Sequence, residues 1–141
     1  MAGKTLNKLK ILVVDDSADQ IEIIEQQLEM SGLEFELHSE GSGERGLAYM
    51  QGLSGGYPDI IILDISLPGI NGLEVLKQLK SHASWHVIPA IVLSVSEDLQ
   101  DVVKTYKLGG TFFMKKPFDQ KAFKEIVNQL RVTGRINISR P

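Results

Sequence analysis

Asp64 follows the apolar run Ile60-Ile61-Ile62-Leu63 and precedes Leu67-Pro68-Gly69-Ile70-Asn71-Gly72, a stretch built of turn-forming residues. Three other apolar runs also stop at groups with chemistry. Ile11-Leu12-Val13-Val14 stops at Asp15-Asp16, Ala90-Ile91-Val92-Leu93 at the Ser94 hydroxyl, and Phe112-Phe113-Met114 runs into Lys116-Pro117. If these runs are parallel strands, their carboxyl ends bring three carboxylates, a hydroxyl and an amine to one edge. Such a set suits a divalent metal and a phosphoryl group. A hard cation such as Mg2+ takes oxygen ligands in octahedral array and keeps several waters, so adjacent carboxylates facing a third can ligate it directly or through water. Crowding three carboxylates costs Coulomb energy, which a dication offsets.

Each residue alone has a plainer reading. Asp15-Asp16-Ser17 also makes a turn and a helix cap, Asp64 a loop start, Ser94 a strand-end hydroxyl, and Lys116 a surface lysine. Jointly the plain readings fail, because all five positions fall where a parallel sheet gathers its carboxyl ends. The turn after Asp64 is expected to leave that carboxylate exposed beside backbone N–H groups able to hold phosphoryl oxygens. Pro117 keeps Lys116 out of helical geometry, which extends its stem toward the site. Strand alternation sends Lys115 to the other side.

The elements that must position these groups are legible as alternating periods. Strand-like runs fall at about 10–14, 34–38, 59–63, 89–93 and 111–114. Between the first two, Ala18, Ile21, Ile24 and Leu28 recur at helical spacing, with Ser17 as N-cap and Gly32 as the stop. Ser42 caps a second helix through Met50, ending in the region of Gly52 to Gly56. A third starts near Gly72, carries Leu73, Leu76 and Leu79 inward, and runs out near His82. Leu99, Val102, Val103 and Tyr106 follow i, i+3, i+4, i+7 spacing and predict one buried stripe on a fourth helix. Phe123, Ile126, Val127 and Leu130 repeat that spacing on a fifth, which ends before Gly134.

This β-then-α order predicts an α/β fold: a doubly wound, five-stranded parallel sheet in a flavodoxin-like (βα)5 arrangement. Right-handed crossovers favour the order 2-1-3-4-5, with the site beside the switch point. The alternating run Glu34-Phe35-Glu36-Leu37-His38 belongs at an edge, and the continuously apolar first, third and fourth runs belong at the centre.

A chain of 141 residues is sized for one domain. The expected division is an N-terminal tail over 1–7, a folded unit over 8–132, and a C-terminal tail or linker stub over 133–141. In that last segment Ile136 and Ile138 alternate, but the stretch is too short and basic for a sixth strand. Absence of cysteine excludes disulfides and thiolate metal sites and fits a reducing compartment. Net charge is −3 with no dense Lys/Arg cluster, which argues against direct nucleic-acid binding. No apolar run approaches the ~20 residues of a membrane span, and Met1 to Lys8 lack the apolar core of a secretion signal. The expected location is cytoplasmic. His38, His82 and His86 are not spaced as a metal site or a relay histidine, and Trp85 is expected to cover the end of the third helix.

Over roughly Lys8 to Arg131 the chain resembles the response-regulator receiver domain of two-component signalling, the chemotaxis-regulator-like group. The resemblance rests on Ile11-Leu12-Val13-Val14-Asp15-Asp16-Ser17, on Ile62-Leu63-Asp64-Ile65-Ser66-Leu67-Pro68-Gly69-Ile70-Asn71-Gly72, on Val92-Leu93-Ser94, and on Phe113-Met114-Lys115-Lys116-Pro117-Phe118. It implies that Asp64 is the phosphoacceptor, a phosphoprotein site charged by a histidine kinase or a histidine phosphotransfer protein. Asp16, Asp64 and the Ser66 carbonyl then ligate Mg2+ (or another divalent cation), Asp15 acts mainly through water, and Lys116 pairs with the phosphoryl group. Ser94 and Phe113 become the hydroxyl and aromatic of the family's switch. Output leaves to a downstream protein through the face of the fourth helix, fifth strand and fifth helix, a face through which the family also dimerises. Such a module is a phosphoacceptor signalling domain, not an enzyme beyond assisting its own phosphorylation and dephosphorylation.

Three departures accompany the resemblance. Val95 follows Ser94 where the family usually has Ala or Gly, and its larger side chain is expected to narrow access to Asp64. Gly109-Gly110-Thr111 replaces the commoner Gly-Ala pairing before the fifth strand. Ser66 and Ser96 stand where the family tunes autodephosphorylation. The rival readings are a phosphorylation-independent scaffold, favoured only by Val95, and a receiver cut from a longer regulator or hybrid kinase. A small enzyme of similar layout fits worse. A nucleotide- or flavin-binding protein needs a glycine-rich loop after the first strand, where Asp-Asp-Ser stands. An aspartate-nucleophile phosphatase needs its nucleophile on that strand.

Overall fold

The structure is a computed structural model that describes residues 8–136. Five strands alternate with five helices: β1 (Leu9–Val14), α1 (Ala18–Ser31), β2 (Phe35–Glu40), α2 (Gly43–Gln51), β3 (Ile60–Asp64), α3 (Gly72–Ser81), β4 (Ala90–Ser94), α4 (Leu99–Lys107), β5 (Phe112–Lys115) and α5 (Gln120–Val132). The sheet is parallel throughout, in the order β2-β1-β3-β4-β5. The predicted topology and the edge position of β2 therefore hold.

Alternation along each strand divides the core into two layers. Ile11, Val13, Ile60, Ile62, Ile91 and Leu93 face α1 and α5, where Ile24, Leu28, Phe123 and Leu130 meet them. Leu12, Val14, Ile61, Leu63 and Val92 face the other way, against Leu47, Met50, Val75, Leu76 and Leu79 of α2 and α3. Fully burying one such side chain is worth about 1.5–3 kcal/mol, so the two layers fix the register of the central strands. That register sets the heights of the strand ends, since Val14 pairs with Leu63 and Asp64 with Leu93.

The helix starts follow local chemistry. The side chains of Ser17, Ser42 and Asn71 accept backbone N–H bonds from Gln20, Arg45 and Glu74, and Gly32 closes α1 in the left-handed region. Trp85 is buried and stacks on His82 with ring centroids 3.6 Å apart, closing the end of α3 as expected.

The stripe predicted on α4 is not buried. Leu99 is 74% exposed, Val103 and Tyr106 are also exposed, and Thr105 is the buried residue of that helix. The helix packs beside edge strand β5 and against α3, so little sheet lies beneath it. Packing also continues into the segment read as a tail: Ile136 is buried with the α1/α5 layer, and Arg135 N–H donates to the Leu130 carbonyl at 2.8 Å. Residues 1–7 and 137–141, with Ile138, lie outside the described part.

Candidate phosphoacceptor and metal site

Asp15, one residue beyond the end of β1, and Asp64, the last residue of β3, stand side by side because their strands are neighbours. Each carboxylate is oriented by the same device. Asp15 Oδ1 accepts the Ser17 N–H at 2.9 Å, and Asp64 Oδ1 accepts the Ser66 N–H at 3.1 Å. Lys116, arriving just past β5, spans the pair: its Nζ lies 3.3 Å from Asp15 Oδ2 and 3.3 Å from Asp64 Oδ1. The Lys116 backbone N–H donates to the Ser94 carbonyl at 2.7 Å, which anchors the lysine to the end of β4. Lys115, its neighbour, is exposed.

Asp64 is not exposed as expected; it is 4% accessible, with Asp15 and the spanning Lys116 beside it. The carboxylate that the turn was expected to leave open is instead buried and paired with Lys116. Gly72 explains the tight path of that turn. A Cβ there would lie 2.1 Å from the Asp64 carbonyl oxygen, and the Gly72 N–H donates to the Ile65 carbonyl at 3.1 Å.

Asp16 completes the cluster from the exposed side. One oxygen from each of Asp15, Asp16 and Asp64 lies within 4.8 Å of the others. Three carboxylates face one ammonium, so the site carries excess negative charge. Burial chiefly raises the Asp15 pKa above its ordinary value, with the charge of Asp64 adding to it, against the Ser17 N–H and Lys116, which lower it. Asp15 Oδ2 is buried and, despite the nearby ammonium, accepts no aligned hydrogen bond from the described residues. An under-satisfied buried oxygen in an all-oxygen cluster is what a Mg2+ ion, directly or through its water, satisfies. The donor set fits that ion.

Ser94 and Phe113 lie nearby without joining the cluster. Ser94 is buried, and its Oγ accepts the Ser96 N–H at 3.1 Å. Phe113 is half-buried against the α2/α3 layer, and its N–H donates to Tyr106 Oη at 3.2 Å. That hydrogen bond ties α4 to the β5 backbone at Phe113 and was missed in the sequence, where Tyr106 reads as core. Val95 is 71% exposed. The histidines have other partners: His38 stacks on Tyr49 with its Nε2 2.6 Å from Glu40 Oε2, and His82 stacks on Trp85.

Comparison with known proteins agrees with this geometry. The response regulator receiver domain matches residues 11–128. The DNA-binding response regulator MtrA of Mycolicibacterium paratuberculosis is 33% identical over 132 residues, covering 94% of this chain and 54% of that protein. The chain spans about half the length of the curated relatives it matches. The phosphorylated cyanobacterial phytochrome response regulator RcpA superposes with a TM-score of 0.73 at 29% identity, covering 88% of this chain and 91% of that one. The Mn2+-bound form of response regulator Rcp1 gives 0.71 at 26% identity, covering 94% and 99%. No helix among the described residues is long and apolar enough to cross a membrane. The strand ends that gather Asp15, Asp16, Asp64 and Lys116 thus lie within the matched region, and the chain belongs to the response-regulator receiver domain family.

Proposed function

We propose that Asp64 accepts a phosphoryl group from a histidine kinase or histidine phosphotransfer protein, and that its phosphorylation changes what the α4, β5 and α5 face binds. The observation that carries this is the pairing of two buried carboxylates through one lysine at 3.3 Å, with a third carboxylate at the rim. Asp15, Asp16, Asp64 and the Ser66 carbonyl are the groups to hold Mg2+, which when bound supplies positive charge for the phosphoryl oxygens. In the transfer, an Asp64 carboxylate oxygen forms the new P–O bond as the donor's P–N bond breaks (or the P–O bond of a small acyl phosphate). Lys116 is held where its ammonium can neutralise charge on the equatorial oxygens. The chain's contribution is therefore position and electrostatics, the usual means of phosphoryl transfer.

Phosphorylation replaces a carboxylate by a group with more charge and acceptor oxygens. The Ser94 hydroxyl, engaged among the described residues only by the Ser96 N–H of its own loop, can donate to it. A shift of that loop bears on α4 and, through Tyr106, on Phe113. The exposed apolar side chains of α4 form the surface that the switch alters for an output protein or a second copy.

Intact mass after incubation with acetyl phosphate and Mg2+, for wild type and Asp64→Asn, tests the reading. A gain of one phosphoryl group that requires Mg2+ and is lost in the variant is expected. No gain in wild type, with Mg2+ binding shown separately, leaves the phosphorylation-independent scaffold. Val95, the residue that favours the scaffold, has a side chain turned largely to solvent.

A further inference from the structure

Glu44 lies outside the acidic cluster, in the first turn of α2, yet it reaches the turn that follows Asp64. Its Oε2 accepts the Ile70 N–H at 3.3 Å. Gly69, the residue before, has φ +71°, and a Cβ there would come within 2.7 Å of the same Oε2. Glycine suits that left-handed position and leaves room for the carboxylate to lie against the turn. One residue back on the helix, Gly43 is as closely met: a Cβ would lie 2.5 Å from Val75 Cγ2 and 2.8 Å from Ile70 Cγ1. Helix α2 thus grips the apex of the turn, with bare backbone at Gly43 and a carboxylate at Glu44.

The base of the same turn is pinned separately, by Gly72 against the Asp64 and Ile65 backbone. Between the two anchors lies Ser66. Its N–H orients Asp64 at 3.1 Å, and its carbonyl is the proposed backbone ligand for Mg2+. We propose that Glu44 is a positioning residue for the metal and phosphoryl site: its hydrogen bond to Ile70 holds the turn so that Ser66 and Asp64 meet the ion in one geometry. This rests on the metal-binding reading given above. A partner that sets a ligand's orientation commonly changes metal affinity by 10–100-fold when removed. Glu44 acts through the turn and not on a ligand itself, so the low end of that range is expected.

A plainer role for Glu44 is its charge in the first turn of α2, favourable to the helix dipole. Glu44→Gln separates the two, because the amide oxygen still accepts the Ile70 N–H while the charge is gone. The test is calorimetric titration of the full chain with MgCl2, together with amide hydrogen exchange at Ile70 and urea unfolding in Mg2+-free buffer. Glu44→Ala is expected to bind Mg2+ about tenfold more weakly, with faster exchange at Ile70 and a folded state intact by urea. Glu44→Gln is expected to stay close to wild type in both. Wild-type affinity in Glu44→Ala overturns the proposal, and so does Glu44→Gln as weak as Glu44→Ala. If the wild type takes up no Mg2+, the reading of the acidic cluster fails and the clamp falls with it; if only the variants behave alike, the clamp alone fails.

Discussion

Phe123 on α5 is fully buried, whereas Leu99, at the matching position of an identically spaced stripe on α4, is 74% exposed. The contrast continues along both helices. Ile126, Val127 and Leu130 are covered by α1 and the sheet, while Val103 and Tyr106 face solvent beside Lys104 and Lys107. Position in the sheet explains it. α5 lies over the central strands with α1 beside it, but α4 sits by edge strand β5, which is only four residues long. Leu99, Gln100, Val103, Lys104 and Lys107 line an open groove there. One helix contributes stability; its twin holds apolar surface in reserve, at the place where the proposed switch acts. Asp15 is a second contrast, a buried carboxylate whose burial raises its pKa, at the cluster proposed to hold the metal.

Substitutions can break or sharpen this division. Phe123→Ala should produce the largest loss, about 3–5 kcal/mol by urea unfolding, since it empties a fully buried aromatic site. A loss below about 1 kcal/mol would mean that α5 is not the stabilising helix.

Asp15→Asn should act in the opposite direction in Mg2+-free buffer, gaining on the order of 1 kcal/mol at neutral pH because an under-satisfied buried charge is removed. The pH dependence follows from the raised pKa of Asp15. In the folded state this group keeps its proton to higher pH than in the unfolded chain, so its favourable contribution is complete below the unfolded value of 3.8 and is lost as pH climbs through the folded one. The advantage of Asp15→Asn should therefore be absent in acid and grow toward neutrality. Added Mg2+ should then narrow it by stabilising the wild type through mass action. A variant that is less stable than wild type at pH 7 without Mg2+ would contradict this account.

Tyr106→Phe removes the acceptor for the Phe113 N–H and should cost about 0.5–1.5 kcal/mol. Its sharper signature is expected in the phosphorylation-dependent chemical shifts of α4, which should uncouple from those of β5. Leu99→Ala with Val103→Ala should be the mildest for folding, within about 0.5 kcal/mol of wild type. The same pair should weaken binding of the output partner or self-association after phosphorylation. A loss of several kcal/mol in the unphosphorylated protein would show that the α4 stripe is core after all.

Much of the fold and site was legible before any coordinates. Ser17 and Gly32 marked both ends of α1, the apolar runs gave all five strands, and the carboxylates and lysine read at their ends lie together in one cluster. Those signals are local: a cap, a period of two or of 3.6, a turn after a strand. Parallel order and right-handed crossovers then leave few ways to join the pieces, which is why Asp15 and Asp64 could be set side by side.

Burial was less legible. α4 and α5 read identically because periodicity shows that a helix has an apolar face, not what covers it. The carboxylate of Asp64 was expected in the open because the turn was visible; Lys116 was read as reaching the site, but not as spanning two buried carboxylates. Glu44 gave no sign at all, since nothing near residue 44 encodes a contact with the backbone of residue 70. The sequence by itself determined which elements form, where they stop and which chemical groups their ends carry, because those follow from neighbours within a few residues. Only the tertiary structure decided which carboxylate is buried, which buried oxygen is under-satisfied and which apolar face stays in water. Those properties depend on what distant segments bring to the same place.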